Sequence, residues 1–339
     1  MRTDYLAKRV AQAALTFFVT VTLTFVLYRM MPGGPTEALR NVILQQQMGT
    51  GNTIDPARVE RLVAQYTNLQ SDAPMYKQYI QYMSSVFLEQ DLGESLYEDA
   101  SVTSLLAERI PWSMLISVYA MVIGYTVSIV LGAVMAFKEK SRFDSISSIV
   151  VIGLNSTPYY VAGILLIFFF SIRNEIFPTG GRVGLGVEEG FNILFMQSIA
   201  YHAALPVLSM SILGLGTALT MRGNAVRVLG EDYLRVAKLR GLRNSRIATQ
   251  YVGRNAILPM YTQFMIGIAG VLSSSVIVEQ IFSYPGVGLL VYDAIQVRNY
   301  PVLMGSLIVF TLVTIVAILI ADLTYGFIDP RISSGGTDE

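Results

Sequence analysis

The side chains able to carry out covalent or metal chemistry are scarce in this sequence. His202 is the only histidine and there is no cysteine. A histidine-based metal site or a Ser-His-Asp triad is therefore excluded, as is thiol or disulfide chemistry. No GxxxxGK run followed by Ser or Thr is present, so no loop can cradle nucleotide phosphates, and there is no HExxH. His202 stands in Tyr-His-Ala-Ala-Leu-Pro, where an imidazole satisfied by its neighbours is expected. What does stand out is Glu231–Pro259, EDYLRVAKLRGLRNSRIATQYVGRNAILP. Arg235, Lys238, Arg240, Arg243, Arg246 and Arg254 face only Glu231 and Asp232 there. Asp232 or Glu231 can cap a helix through Leu239, and Gly241 suits its end because glycine accepts the left-handed conformation. Asn244 or Ser245 can start a second short helix through Tyr251. The pattern predicts a small apolar knuckle (Ala237, Gly241, Leu242) ringed by arginines. Such a surface fits either a protein cleft or anionic lipid headgroups.

The elements that hold this segment are apolar. The chain is 53% hydrophobic and 14% charged with mean hydropathy +0.52, too apolar for an ordinary soluble protein. Runs of about 20 apolar residues, enough to cross the hydrocarbon core, can be read at six places. They are Val10–Met31, Trp112–Phe137, Ile146–Ile172, Ile199–Met221, Met260–Phe282 and Val302–Phe327. The first follows Arg2, Lys8 and Arg9 but is longer than a signal core and has no small-residue cleavage pattern, so it reads as a retained helix. Net charge is +0, yet most of the 24 Lys and Arg fall in the tail, in Lys138–Asp144 and in Arg222–Pro259. The short loops on the other side carry only Arg173, Arg182 and Arg298. The charge rule then puts both termini and Glu231–Pro259 in the cytoplasm. Expected divisions are 1–31 (tail and first span), 32–111 (extracytoplasmic), 112–327 (a five-helix core containing the 222–259 loop) and 328–339 (cytoplasmic tail).

Within the 32–111 segment, Asp55-Pro56 resembles a helix start. Met75–Glu89 puts Tyr76, Tyr79, Ile80, Met83, Phe87 and Leu88 on one helix, for the membrane interface, an external cap or packing on the span ends. Inside the spans, Asp322 and Glu279 lie late, where water or arginine can satisfy a carboxylate; a proton relay would need several acids at mid-depth. Asn155-Ser156-Thr157-Pro158-Tyr159-Tyr160 interrupts the third span, since proline frees a backbone carbonyl and kinks the helix. Ser273-Ser274-Ser275 does something similar in the fifth. Asn155, Ser156, Thr157, Tyr159, Ser273, Ser274, Ser275 and Glu279 are the candidate path residues, with close helix packing as the other reading of such small and polar residues.

The segment after Gly230 resembles the cytoplasmic EAA loop of permease subunits of binding-protein-dependent ABC transporters, in their dipeptide/oligopeptide/nickel branch. The residues carrying it are Gly230-Glu231-Asp232-Tyr233, Ala237 through Leu242, and Arg254-Asn255-Ala256-Ile257-Leu258-Pro259. Others agree along most of the chain: Met31 to Pro35, Asp91-Leu92-Gly93-Glu94-Ser95, His202 with Leu205-Pro206, Glu279 to Phe282, Tyr284 to Gly288, Asp293 to Ile295 and Asp329-Pro330-Arg331. The long segment after the first span resembles the first, B-type, permease of a pair. There are departures. Arg235-Val236-Ala237 stands in place of Glu-Ala-Ala, and Gln250-Tyr251 in place of a frequent Arg-His.

The resemblance implies an all-α polytopic membrane protein with six transmembrane helices, the type I ABC importer permease fold. It implies a non-enzymatic transport subunit in the cell membrane, paired with a second, C-type permease and two ABC ATPase subunits. The ATPases would bind ATP and Mg, and this chain no cofactor or metal. An extracytoplasmic solute-binding protein would deliver the solute, a dipeptide or oligopeptide; nickel, glutathione or an oligosaccharide are alternatives within the same fold. The implied coupling residues are Glu231, Asp232, Tyr233, Ala237, Arg240, Gly241, Leu242 and Ser245. An ATP-independent secondary transporter and a non-transport membrane scaffold are the readings from other classes. Nucleic acid is not an expected partner.

Overall fold

A computed structural model describes residues 3–30, 40, 44, 59, 61, 74–243, 246–270 and 275–328. Among the described residues the structure is nearly all helix, and two compact units divide it: 1–112 with 286–339, and 113–285.

The first unit is built on two apolar helices, α1 (Thr3–Met30) and α12 (Tyr300–Ile328). Helix α2 (Met75–Ser84), with a π-helical continuation through Glu89, packs on both. Tyr82 and Val86 join Val21, Phe25, Met304 and Ile308 in one apolar cluster. The Tyr79 hydroxyl hydrogen-bonds Thr22 Oγ1 at 2.9 Å, and the Tyr79 ring meets Phe25 edge-on at 5.5 Å. The expected aromatic face is thus split, because a helix against a core can bury only one stripe. Tyr79 and Met83 pack inward, whereas Tyr76, Ile80 and Leu88 are exposed. The turn Asp91–Ser101 is fixed to the junction between α11 (Val287–Val297) and α12 by buried Asn299. Its amide donates to Ser95 Oγ (2.9 Å) and accepts from the Leu96 N–H (3.3 Å).

The second unit begins inside α3 (Val102–Phe137), which starts well before the expected Trp112 and runs through Pro111. Beyond Ser113 its small residues Gly124, Ser128 and Gly132 lie against α6 (Ile193–Leu215) and α7 (Thr217–Leu229). There the Ser128 hydroxyl donates to the Gly214 carbonyl at 2.8 Å. Small residues let helix backbones approach closely in this way.

Between these helices lies a broken one: α4 (Arg142–Ser156) and α5 (Tyr159–Leu166, continuing to Arg173) meet at 96°. Thr157 is extended (φ −88°, ψ 122°), as the residue before a proline prefers, and Pro158 lacks the N–H that would continue the ladder. The expected kink is therefore a near right angle. After α7 come α8 (Asp232–Leu239), a π-helical run Ile247–Gly253, α9 (Leu258–Ala269) and α10 (Val276–Ile281).

Among the described residues, four helices are long and apolar enough to cross a membrane: Ala7–Met30, Val102–Phe137, Ile193–Leu215 and Tyr300–Ala321; the bent pair counts as a fifth if it is one span. The shortest has 22 residues, which at 1.5 Å per residue covers the roughly 30 Å hydrocarbon core. Within the expected fifth span, Met260–Phe282, the described residues form α9 and α10, each shorter than a crossing helix, and 271–274 lie outside the description. The proposed helix at Asp55-Pro56, the side chain of Asp322, Ser245, Ser273 and Ser274 also lie outside it.

Candidate functional site

Helix α8 is amphipathic in a way that the spacing of its residues dictates. Leu234 and Ala237, three apart, share one face. Both are buried in a cluster with Ala136, Met221, Ala225, Ile247, Val252, Ala256 and Met260. The described residues of 222–260 therefore fold on a core that they share with Met221 and with Ala136 near the end of α3. Asp232 lies in the first turn, where a carboxylate opposes the positive end of the helix dipole. At the other end Gly241 is left-handed (φ +73°), and the Leu242 N–H donates back to the Ala237 carbonyl at 3.3 Å. That six-to-one bond, with Leu242 packed against the cluster holding Ala237, is the Schellman closure of a helix C-terminus.

This geometry corrects the expected knuckle. Ala237 is 3% exposed and Leu242 is half-buried against the same core, so neither can lead a contact with another protein. The apolar groups that do project are Val236 (54% exposed) and Leu239 (81%), with Tyr233 beside them. They lie on the side away from Leu234. Arg235, Arg240, Arg243, Arg246 and Arg254 of the same segment are exposed, as are Glu231 and Gly241. The Tyr233 hydroxyl accepts a hydrogen bond from the Asn255 amide at 3.1 Å, which ties the start of α8 to the residues before α9.

The broken helix is the second feature. The Ser156 hydroxyl donates to the Ile152 carbonyl (2.8 Å) and Thr157 to Gly153 (3.0 Å). Both are thus engaged by their own helix, a pattern that bends helices. Asn155 is exposed, and its amide lies against Gly216 at the α6–α7 junction so closely that a Cβ there would come within 2.5 Å of Oδ1. Tyr159 is half-buried, and its carbonyl accepts from the Ser209 hydroxyl at 2.8 Å. Ser275 and Glu279 are wholly buried, on and beside α10. Of the two ways expected to satisfy Glu279, water or an arginine, this burial disfavours water. The Tyr284 N–H donates to its backbone carbonyl at 2.8 Å. His202 has a partner of its own, Nδ1 to the Ser198 carbonyl at 2.8 Å.

One ion pair was not anticipated. Arg222, on α7, grips Asp144 at the start of α4 with both Nε–Oδ1 and Nη2–Oδ2 at 2.6 Å. The Asp144 carboxyl is held below the ordinary carboxylate range, first by that hydrogen bonding and further by the Lys140 N–H and the guanidinium charge, with burial opposing them. Ser141-x-x-Asp144 is a legible capping pattern (Asp144 N–H to Ser141 Oγ, 3.2 Å). Nothing local, however, points to an arginine 78 residues on. Among the described residues, no group of three or more His, Asp or Glu side chains is placed to hold a metal ion.

Comparison with known proteins agrees along the length of the chain. The family model "Binding-protein-dependent transport system inner membrane component" matches residues 128–334, and its N-terminal companion matches residues 2–117. The dipeptide transport system permease protein DppB of Bacillus subtilis (strain 168) is 31% identical over 330 residues, covering 97% of each chain. DppB of Escherichia coli (strain K12) is 30% identical over 347 residues, covering 97% of this chain and 98% of its own. The oligopeptide transport system permease protein AppB of Bacillus subtilis is 30% identical over 331 residues, with the same coverage.

Proposed function

This chain belongs to the family of binding-protein-dependent transport system inner membrane components, and on that premise we propose that it is the membrane-spanning subunit of an ATP-driven peptide importer, the B-type partner of a permease pair. It is a multi-pass membrane protein whose role is transport and not covalent chemistry. Two ATP-hydrolysing subunits supply the energy, with ATP and Mg bound on them. A second permease completes the pathway, and an extracytoplasmic binding protein delivers the peptide. The chain sits in the cell membrane with both termini and the 222–260 segment in the cytoplasm, in keeping with the arginines of that segment.

The observation that carries this reading is the outward face of α8. A helix that buries Leu234 and Ala237 in the core beneath it while exposing Val236 and Leu239, in a segment with exposed arginines, is preorganised to seat an apolar ridge in a groove. Because α8 shares one core with α7, with Ile247–Met260 and with the end of α3, a push on that ridge is passed to α7. Coupling then runs from the ATPase groove through α8 to α7 and on to the spans. Along the path, Asn155 is the favoured solute-facing residue, because it is an exposed residue beside the break whose amide is not bonded to its own helix, as the Ser156 and Thr157 hydroxyls are.

The test is co-purification of the ATPase subunits with the Leu239→Asp permease, together with peptide-stimulated ATP hydrolysis. Loss of both with the permease still folded supports the reading, and unchanged values overturn it.

A further inference from the structure

We infer that Asp144 and Arg222 form the strut through which movement of the 222–260 segment reaches the broken helix α4–α5; this rests on the permease reading above. Four observations carry it.

The pair is bidentate, with both nitrogen–oxygen distances at 2.6 Å, the geometry that fixes direction as well as distance. The Asp144 side chain is almost fully buried and Arg222 is under a third exposed, so solvent does not screen the contact as it would a surface pair.

The carboxylate is also part of α4 itself. It accepts the Lys140 N–H at 3.1 Å, while its own N–H is capped by Ser141. A pull on the carboxylate therefore acts on the first turn of α4, not on a loose side chain.

Arg222 is anchored just as firmly at its other end. Its neighbours on α7, Met221 and Ala225, are buried in the cluster that holds Leu234 and Ala237 of α8. A displacement of α8 cannot leave Arg222 behind without opening that core.

Finally, the far end of α4 meets the start of α7 at its junction with α6, where Gly216 backs onto the Asn155 side chain next to the 96° break. With one joint at the start of α4 and another at its end, α4 follows α7 as a lever, and the angle at Thr157-Pro158 is where the motion is taken up. Asp144 and Arg222 are positioning residues in this scheme. They touch neither nucleotide nor peptide.

The experiment uses the whole transporter, with the partner permease, ATPases and binding protein, reconstituted in liposomes. The binding protein is preloaded from a casein peptone. Three forms are compared with wild type: Asp144→Asn, Arg222→Lys, and the exchanged pair Asp144→Arg with Arg222→Asp. Each is read for ATPase subunits retained, basal hydrolysis, and stimulation per assembled complex. The expected result is that Asp144→Asn keeps its ATPase subunits and basal rate while stimulation falls by about tenfold. Arg222→Lys, which keeps the charge but loses the planar fork, falls part of the way. The exchanged pair regains stimulation over Asp144→Asn. If Asp144→Asn lowers the amount of complex yet leaves stimulation per complex unchanged, the pair is merely structural and the strut is overturned. Full stimulation in Arg222→Lys together with Asp144→Asn overturns it equally. A wild-type complex with no stimulation at all would overturn the permease reading itself, and the strut with it.

Discussion

Leu234 and Leu239 lie on the same two-turn helix and point opposite ways: Leu234 is 1% exposed in the core beneath α8, and Leu239 is 81% exposed above it. One leucine holds the segment together and the other is free for a partner. Substitutions at the two should therefore fail in different ways.

Leu239→Asp should leave the isolated permease as stable as wild type, because nothing in the fold loses a buried group. Burying a leucine is worth about 2 kcal/mol, so losing it and placing a charge in an apolar groove should weaken ATPase binding by at least about thirtyfold. Titration of detergent-purified permease with the ATPase subunits measures this. An unchanged affinity would count against the assigned face.

Leu234→Ala should do the reverse. Removing a fully buried leucine side chain costs about 2–5 kcal/mol. A clear drop in thermal unfolding temperature is expected, with protease sensitivity appearing first in 222–260. Retention of the wild-type melting curve would contradict the core described around Met221 and Ile247.

Gly241→Ala should be mild. Nothing lies within 4 Å of a Cβ at this position, so no clash follows, and only the left-handed backbone (φ +73°) is penalised. The cost is about 1 kcal/mol, read as fraying of the last turn of α8 in hydrogen exchange. A bulkier residue should behave similarly in the isolated chain, so any larger effect in the complex reports on the docking surface.

The stabilisation from Asp144 should depend on pH in one direction only. Its folded carboxyl titrates below the unfolded value of about 3.9, with the Arg222 hydrogen bonds as the first cause and Glu139 the other acid near the guanidinium. A lowered carboxyl contributes stability above the unfolded value and loses it as the pH falls through the folded one. The melting difference between wild type and Asp144→Asn, about 2 kcal/mol for a partly buried pair, should hold from pH 8 down to about pH 4 and shrink below that. A difference that disappears between pH 7 and pH 5 would contradict the pairing.

Asn299→Ala should free the Asp91–Ser101 turn, since the buried Leu96 N–H loses its acceptor, while the Ser95 hydroxyl loses one donor and keeps the Tyr97 and Glu98 N–H groups. An unsatisfied group of this kind costs about 1–3 kcal/mol. Faster hydrogen exchange at Ser95–Ala100 is expected, with 222–260 unaffected.

What could be read from the sequence was what local rules decide. Pro158 announces a break because it removes an N–H and restrains Thr157. Gly241 announces a helix end because few other residues accept its backbone. Asp232 announces a start. The direction in which α8 faces was not legible, because it is set by Met221, Ala225, Ile247, Val252 and Met260 gathering beneath it. Ala237 looked like surface for want of that core. Glu279 read as satisfied by water or an arginine late in a span, and only the packing around α10 shows it buried. The Asp144–Arg222 pair joins helices distant in sequence, and no period or motif links them. Even the 96° angle follows from packing, since proline dictates a break but not its size.

The central claim is that the outward face of α8 seats in the ATPase subunit, and single cysteines test it most directly. The natural chain has no cysteine, so Leu239→Cys and Ala237→Cys each create one addressable thiol. In the assembled complex, a short thiol-to-amine cross-linker should join Leu239→Cys to the ATPase subunit and leave Ala237→Cys unlinked. Cross-linking from Ala237→Cys alone, or a Leu239→Cys thiol that stays as reactive to a soluble maleimide with the ATPases bound as without them, would contradict the account.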